Sequence, residues 1–259
     1  MDLFSLDPNV TLTFILALMR ISLVLFLMPF FGGHTLPATV KAALCLTLTL
    51  ALWPRLPLMG AQMPGHPFAL AVMLGAELLL GLILGMVVRF IFAAIQTGGQ
   101  LIGFQMGFAM VNVVDPDSGA SEAVTAHFLY MVSLLTFLAI NGHLYLLSGL
   151  MKSFDLLPPG AILITPRLAE QIFSLSGQIF VLAIQIGAPV IAAIILVDLA
   201  LALISRASPQ MNVLIVGFPL KIGVGFLFLG LIFEIISRYM EGFVSRLPLL
   251  FSQLISAMR

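Results

Sequence analysis

Cysteine is almost missing from this chain, and the single Cys45, set inside an apolar run, can form neither an internal disulfide nor a thiolate metal cage. Charge is nearly as scarce. Asp, Glu, Lys and Arg together make up 8% of residues and cancel to zero, where soluble domains carry about a quarter. A soluble globular domain is therefore excluded, and with no basic surplus so is nucleic-acid binding. Catalytic motifs are wanting as well: there is no HExxH, no GxSxG, no Gly-rich phosphate loop and no cysteine pair. The four histidines, His34, His66, His127 and His143, are far apart in sequence. No catalytic residue, metal site or cofactor is expected, and the chain is read as a non-enzyme.

What remains is apolar. Hydrophobic residues make up 61% of the chain and the mean hydropathy is +1.18, the composition of an integral membrane protein. The start, MDLFSLDPN, is acidic where a cleavable signal peptide is basic, so the first apolar segment is expected to stay. About six apolar segments follow: 12–31, 40–53, 68–95, 124–150, 178–204 and 213–236, with an amphipathic tail from Arg238 to Arg259. Pro189 should kink the fifth. Asn141, Gly142 and His143 interrupt the fourth, and Gly217, Pro219 and Lys221 the sixth. Charges stranded in these runs, Glu77, Arg89, Asp198 and Glu234, are expected to be buried charges, each paired or facing water. The first run carries its own lone Arg20.

The charge rule for topology contradicts itself. Arg238, Arg246 and Arg259 argue for a cytoplasmic C-terminus, and the acidic loop from Asp115 to Glu122 for an outside position. Six spans reconcile those two, yet they put the loop flanked by Arg206 and Lys221 outside. Either the helices are broken hairpins or some segments never cross lipid as free-standing spans. One stretch, Gln96 to Glu122, differs in kind. Gly99, Gly103 and Gly107 recur every fourth position, which on a helix aligns three bare spots for close approach, although each Gly costs about 1 kcal/mol against Ala. Phe104, Met106, Phe108 and Met110 stand between uncharged Gln96, Gln100 and Gln105, and a turn-forming run follows at Asp115, Pro116, Asp117, Ser118 and Gly119. Helix packing and a gating role both fit this pattern. A secondary transporter would show two corresponding interrupted segments in pseudo-symmetric halves, and no convincing internal repeat is present.

Several blocks together resemble a known family. Gly103-Phe104-Gln105-Met106-Gly107-Phe108, Asp115-Pro116 with Ser118-Gly119, Asn141-Gly142-His143, Ser153 with Pro158, Pro209-Gln210-Met211-Asn212, and Gly217-Phe218-Pro219-Leu220-Lys221-Ile222 are similar to the FliR family of flagellar type III export-gate subunits. The likeness runs over essentially the whole chain as one unit, 1–259; Leu214, where relatives often carry Phe, is a small departure. Injectisome counterparts share the architecture, and the two tightest blocks favour the flagellar branch. The resemblance implies an all-α, membrane-associated fold of kinked helical hairpins. It implies a place in a helical hetero-oligomeric pore with FliP and FliQ subunits, in the bacterial inner membrane at the flagellar basal body. It further implies that unfolded flagellar proteins pass through the pore, and that a central stretch at about 96–122 plugs it. The plug residues so implied are Gly103, Phe104, Gln105, Met106, Gly107, Phe108, Met110, Asn112, Asp115, Pro116 and Gly119. Pro209, Gln210, Met211, Asn212, Phe218, Pro219 and Lys221 would form a docking surface on the cytoplasmic side, where FlhB associates.

Overall fold

Proline and short polar side chains set the helix starts. In the computed structural model, which describes residues 7–31, 37–55, 63–108, 124–160 and 165–258, Asp7 caps the first helix by accepting a hydrogen bond from the Asn9 amide at 3.0 Å, and Pro8 occupies its first turn. That helix is α1, Pro8–Leu27. It is followed by α2 (Ala38–Leu52) with a 3₁₀ turn at Trp53–Arg55, α3 (Pro67–Met106), α4 (Val124–Ala139), α5 (Gly142–Leu156), α6 (Pro166–Ala207) and α7 (Val213–Ser256). No strand occurs among the described residues. The fold is all-α, as the hydrophobic pattern predicts. α1, α3, α6 and α7 are each long and apolar enough to cross a membrane, and the pair α4 and α5, broken at Asn141, is a fifth candidate.

Helix length is where the structure departs from the sequence pattern. α3, α6 and α7 have 40, 42 and 44 residues, so each spans about 60–66 Å, roughly twice a bilayer's hydrocarbon core. α3 does not stop near Ile95 but runs on through Gly98, Gly99 and Gly103. α7 takes in the apparent tail from Arg238 as far as Ser256, and α6 continues as one helix through Pro189. Propensity loses to packing at these glycines. A Cβ on Gly98 would lie 2.9 Å from the Ala183 carbonyl oxygen, and one on Gly99 would lie 2.6 Å from the Ala126 Cα, so only bare backbone fits. The expected break in the fourth segment is present, with Asn141 in the left-handed region at φ 57°.

Two compact units share the chain. One comprises Met1–Phe90, Asn141–Leu175 and Phe243–Arg259; the other comprises Ile91–Ile140 and Ser176–Gly242. The first is centred on an ion pair. Arg20 and Glu77, both fully buried, are joined by Nε to Oε2 at 2.7 Å and by a second guanidinium nitrogen to Oε1 at 2.8 Å. The remaining nitrogen donates to the Leu157 carbonyl at 3.1 Å and to the Ser153 carbonyl at 3.2 Å, the latter also accepting the Leu157 amide that closes α5, so the cation sits at the negative end of that helix. Phe154 lies 4.2 Å beneath the guanidinium, and Glu77 Oε1 also accepts from the Gly160 amide at 2.9 Å. Two glycines let α1 approach α3: a Cβ on Gly81 would lie 2.9 Å from the Arg20 carbonyl oxygen, and one on Gly85 would lie 2.7 Å from Leu27.

A buried pair stripped of one partner leaves an uncompensated charge. Arg20→Met should therefore destabilise the protein by about 3–5 kcal/mol, whereas Arg20→Met with Glu77→Leu should recover most of that loss. Thermal unfolding of the detergent-purified protein measures both, and a double variant no more stable than the single would show that the pair's geometry, not its charge balance, holds this unit.

Candidate functional site

In the second unit the end of α3 meets α7, and that junction holds the described part of the glycine-rich stretch. Gly107 terminates α3. Its φ is +89°, its amide donates to the Phe104 carbonyl at 3.1 Å, and the Phe108 amide reaches back to the Gly103 carbonyl at 3.0 Å, the paired hydrogen bonds of a Schellman helix end. The third glycine of the ladder is thus a stop rather than a packing spot within the helix. Met106, just before it, is fully buried. Its Cγ, Sδ and Cε crowd the space above Gly225 of α7, where an added Cβ would come within 2.6–2.8 Å of them, while one on Gly107 would lie 2.7 Å from the Phe218 ring. Gly103 is buried, Gln105 and Phe108 are half-buried, and Phe104 points outward at 65% exposure. Met110, Asn112, Asp115, Pro116 and Gly119 lie outside the described residues.

The Pro209 to Lys221 block comprises the turn between α6 and α7 and the first turns of α7. The Ser208 amide closes α6 on the Ile204 carbonyl at 2.8 Å, and the Met211 amide bonds the Ser208 carbonyl at 3.1 Å around Pro209 and Gln210. Asn212 starts α7: its Oδ1 accepts from the Leu214 amide at 3.2 Å. Pro209, Gln210, Asn212 and Pro219 are exposed, and Met211 and Phe218 are half-buried. Lys221 Nζ lies 2.5 Å from Asp198 Oδ1 on α6. The pair sits beside a cavity of about 190 Å³ that Leu201, Gly217 and Phe218 also line. Two patches that looked separate in sequence are therefore joined: Phe218 faces both this cavity and Gly107.

Of the four charges expected to be buried, only Glu77 is. Asp198 is 44% exposed in its pair with Lys221. Glu234, 65% exposed, is paired one turn along α7 with Arg238 at 2.5 Å, and Arg89 is exposed. The reason is the same throughout, since in this chain much of α3, α6 and α7 forms surface, so a charge in an apolar run need not lie in the core. Sequence reasoning noted Arg20 without pairing it with Glu77. The signal was present, because an arginine deep in an apolar run, worth about 2.5–3.5 kcal/mol against it on insertion scales, demands a carboxylate. Gly225 and Thr125, whose hydroxyl donates to the Gly99 carbonyl at 2.8 Å, were missed because neither stands out from its surroundings.

With this geometry established, the chain can be set beside known proteins. A profile of the family described as Bacterial export proteins, family 1, matches residues 11–247. The flagellar biosynthetic protein FliR of Bacillus subtilis is 35% identical over 222 residues, 83% of this chain and 84% of its own. The chain belongs to the FliR family of bacterial export proteins. FliR of Escherichia coli K12 is 31% identical over 239 residues, 92% of this chain and 91% of its own, and FliR of Aquifex aeolicus is 29% identical over 230 residues, 89% and 88% respectively. In this FliR-family chain all three charged helix–helix or intrahelical pairs described above join acids to bases that stand in or beside apolar sequence.

Two outcomes follow from the junction. Gly225→Leu should push Met106 out of its seat at a cost of about 1–3 kcal/mol; oxidative footprinting read by mass spectrometry should find Met106 protected in the parent and oxidised in the variant. Lys221→Glu should lower the melting temperature by setting two carboxylates together, and adding Asp198→Lys should restore it. The effect is expected to stay near 1 kcal/mol because the pair is partly solvated, and a swap that restores nothing would assign Lys221 a different partner.

Proposed function

We propose that this chain forms and plugs the channel of the flagellar type III protein export gate, through which unfolded flagellar proteins leave the cell. In this reading it assembles with FliP and FliQ subunits in the bacterial inner membrane at the flagellar basal body. The α6–α7 turn, with Pro209 and Gln210 exposed, provides the docking surface for FlhB. The observation that carries the plug assignment is the seating of Met106 and Gly107 against α7. A segment that must close a passage needs a fixed base, and here Met106 is buried against Gly225 and Gly107 lies against Phe218 immediately before the stretch that carries Met110, Asn112, Asp115, Pro116 and Gly119.

The chemistry suits the task. A passage wide enough for a polypeptide leaks ions unless it is filled, and unbranched methionine with flexible glycine can close around a changing cargo and reseal. Each fully buried apolar side chain contributes about 1.5–3 kcal/mol, enough to seal when summed and little enough for a driven chain to displace stepwise. Uncharged Gln105 and Asn112 hold no passing backbone tightly.

Because Met106 belongs to the base, the informative deletion begins after it. Removing residues 108–112 should make cells expressing the complete gate permeable to ions, with the assembly retained. Gly103→Val with Gly107→Val should block export without leakage, since valine is strained at the positive φ of Gly107. Conductance and secretion measured in the same strains decide the matter: a deleted gate that assembles and stays tight would overturn the plug assignment.

A further inference from the structure

Glu77, Asp198 and Glu234 each have a basic partner within the chain: Arg20, Lys221 and Arg238. Arg89 stands apart. It lies in the same apolar helix as Glu77, in the run LLLGLILGMVVRF, and among the described residues it has no ion-pair partner. Its direction is fixed by its neighbours. Gly81 and Gly85, together with buried Leu80, Leu84 and Val88, form the side of α3 turned into the chain's own core, the two glycines closing on α1, and Arg89 is on the exposed side. Along that exposed side, three, seven and eleven residues before it, stand half-buried Met86 and exposed Leu82 and Leu78.

We propose that this face of α3 is an interface with another subunit of the gate, and that Arg89 pairs there with an aspartate or glutamate on an apolar helix of that subunit. The inference rests on reading the chain as part of a multi-subunit export gate. Three environments could cover the face, and two fit poorly. Lipid matches Leu78, Leu82 and Met86 but leaves the guanidinium without a counter-charge in the middle of a long apolar run. Water matches the guanidinium, but a wall of Leu and Met is not the lining of an aqueous passage. A packed helix bearing one carboxylate satisfies both, burying the leucines and giving the planar guanidinium a two-point partner. The chain solves the same problem in this way within itself, where the guanidinium of Arg20 meets Glu77 between α1 and α3.

The test uses the complete gate, co-expressed and purified in detergent. Arg89→Glu should reduce the yield of complex by at least about tenfold, because it opposes two buried carboxylates, while Arg89→Lys, which keeps the charge and loses the two-point geometry, should fall between it and the parent. A photo-crosslinking residue at Met86 in the otherwise unchanged chain should join it to a second subunit, and reversing the charge of the carboxylate nearest that crosslink should restore the yield of the Arg89→Glu complex. Wild-type yield from Arg89→Glu would overturn the proposal, as would Met86 crosslinks to lipid alone or to no neighbour. If the Arg89→Glu chain is degraded before it assembles, the Met86 crosslink in the unchanged chain still decides. Failure of the unchanged chain to co-purify with any other subunit would instead sink the gate reading itself.

Discussion

An ionised group inside an apolar helix must be neutralised by protein, and this requirement governs how the first unit is put together. Arg20 donates to Glu77 and to the Ser153 and Leu157 carbonyls at the end of α5, and stacks on Phe154, while Glu77 takes the Gly160 amide as well. Few alternative packings would satisfy both charges, so the pair fixes where α1, α3 and α5 meet and where α5 stops. The net free energy of such a pair can be small. Its service is to make one arrangement far better than its neighbours, which a uniformly apolar set of helices has difficulty doing.

The second unit solves a different problem with the opposite material. At the α3–α7 junction the contacts are apolar, the flexible side chain of Met106 against bare Gly225 and the Phe218 ring against bare Gly107. Contacts of this kind hold by shape and dispersion. They are lost gradually when strained, unlike a buried ion pair, which cannot be half broken without leaving a charge exposed to apolar surroundings. Lys221, paired with Asp198, lies one turn along α7 from Phe218, beside the cavity that Phe218 helps to line, so an ionic contact and a yielding one are carried on one helix.

Much of this was legible in the sequence. The all-α class, the apolar segments, the break at Asn141 and the turn at Pro209–Asn212 follow from hydrophobic runs and from Gly, Pro and Asn punctuation. What was not legible was how long the helices are. The glycines of α3 predict a break on propensity, yet contacts with Ala183 and Ala126, more than 80 and more than 20 residues away in sequence, carry the helix through. The conflict in the charge rule has a similar origin. Lys221 counted as a free flanking cation, but it is neutralised by Asp198, and helices about twice as long as a bilayer is thick do not end where the rule assumes. Met106 and Gly107 stand out in the glycine-rich pattern, which gave no hint that Gly225 and Phe218 receive them.

The order of segments along the chain sets a timetable for synthesis. The first unit draws on three stretches, Met1–Phe90, Asn141–Leu175 and Phe243–Arg259, and its closing contacts include the Phe251 ring against Gly149 and the Thr165 hydroxyl on the Ala257 carbonyl. That piece of the first unit, Phe243–Arg259, is therefore synthesised after every segment of the second unit, which ends at Gly242. Arg20 precedes Glu77 by 57 residues, and the unit around them cannot close until Phe243–Arg259 has been made. In that interval the Arg20–Glu77 pair lies in a core that lacks its final wall.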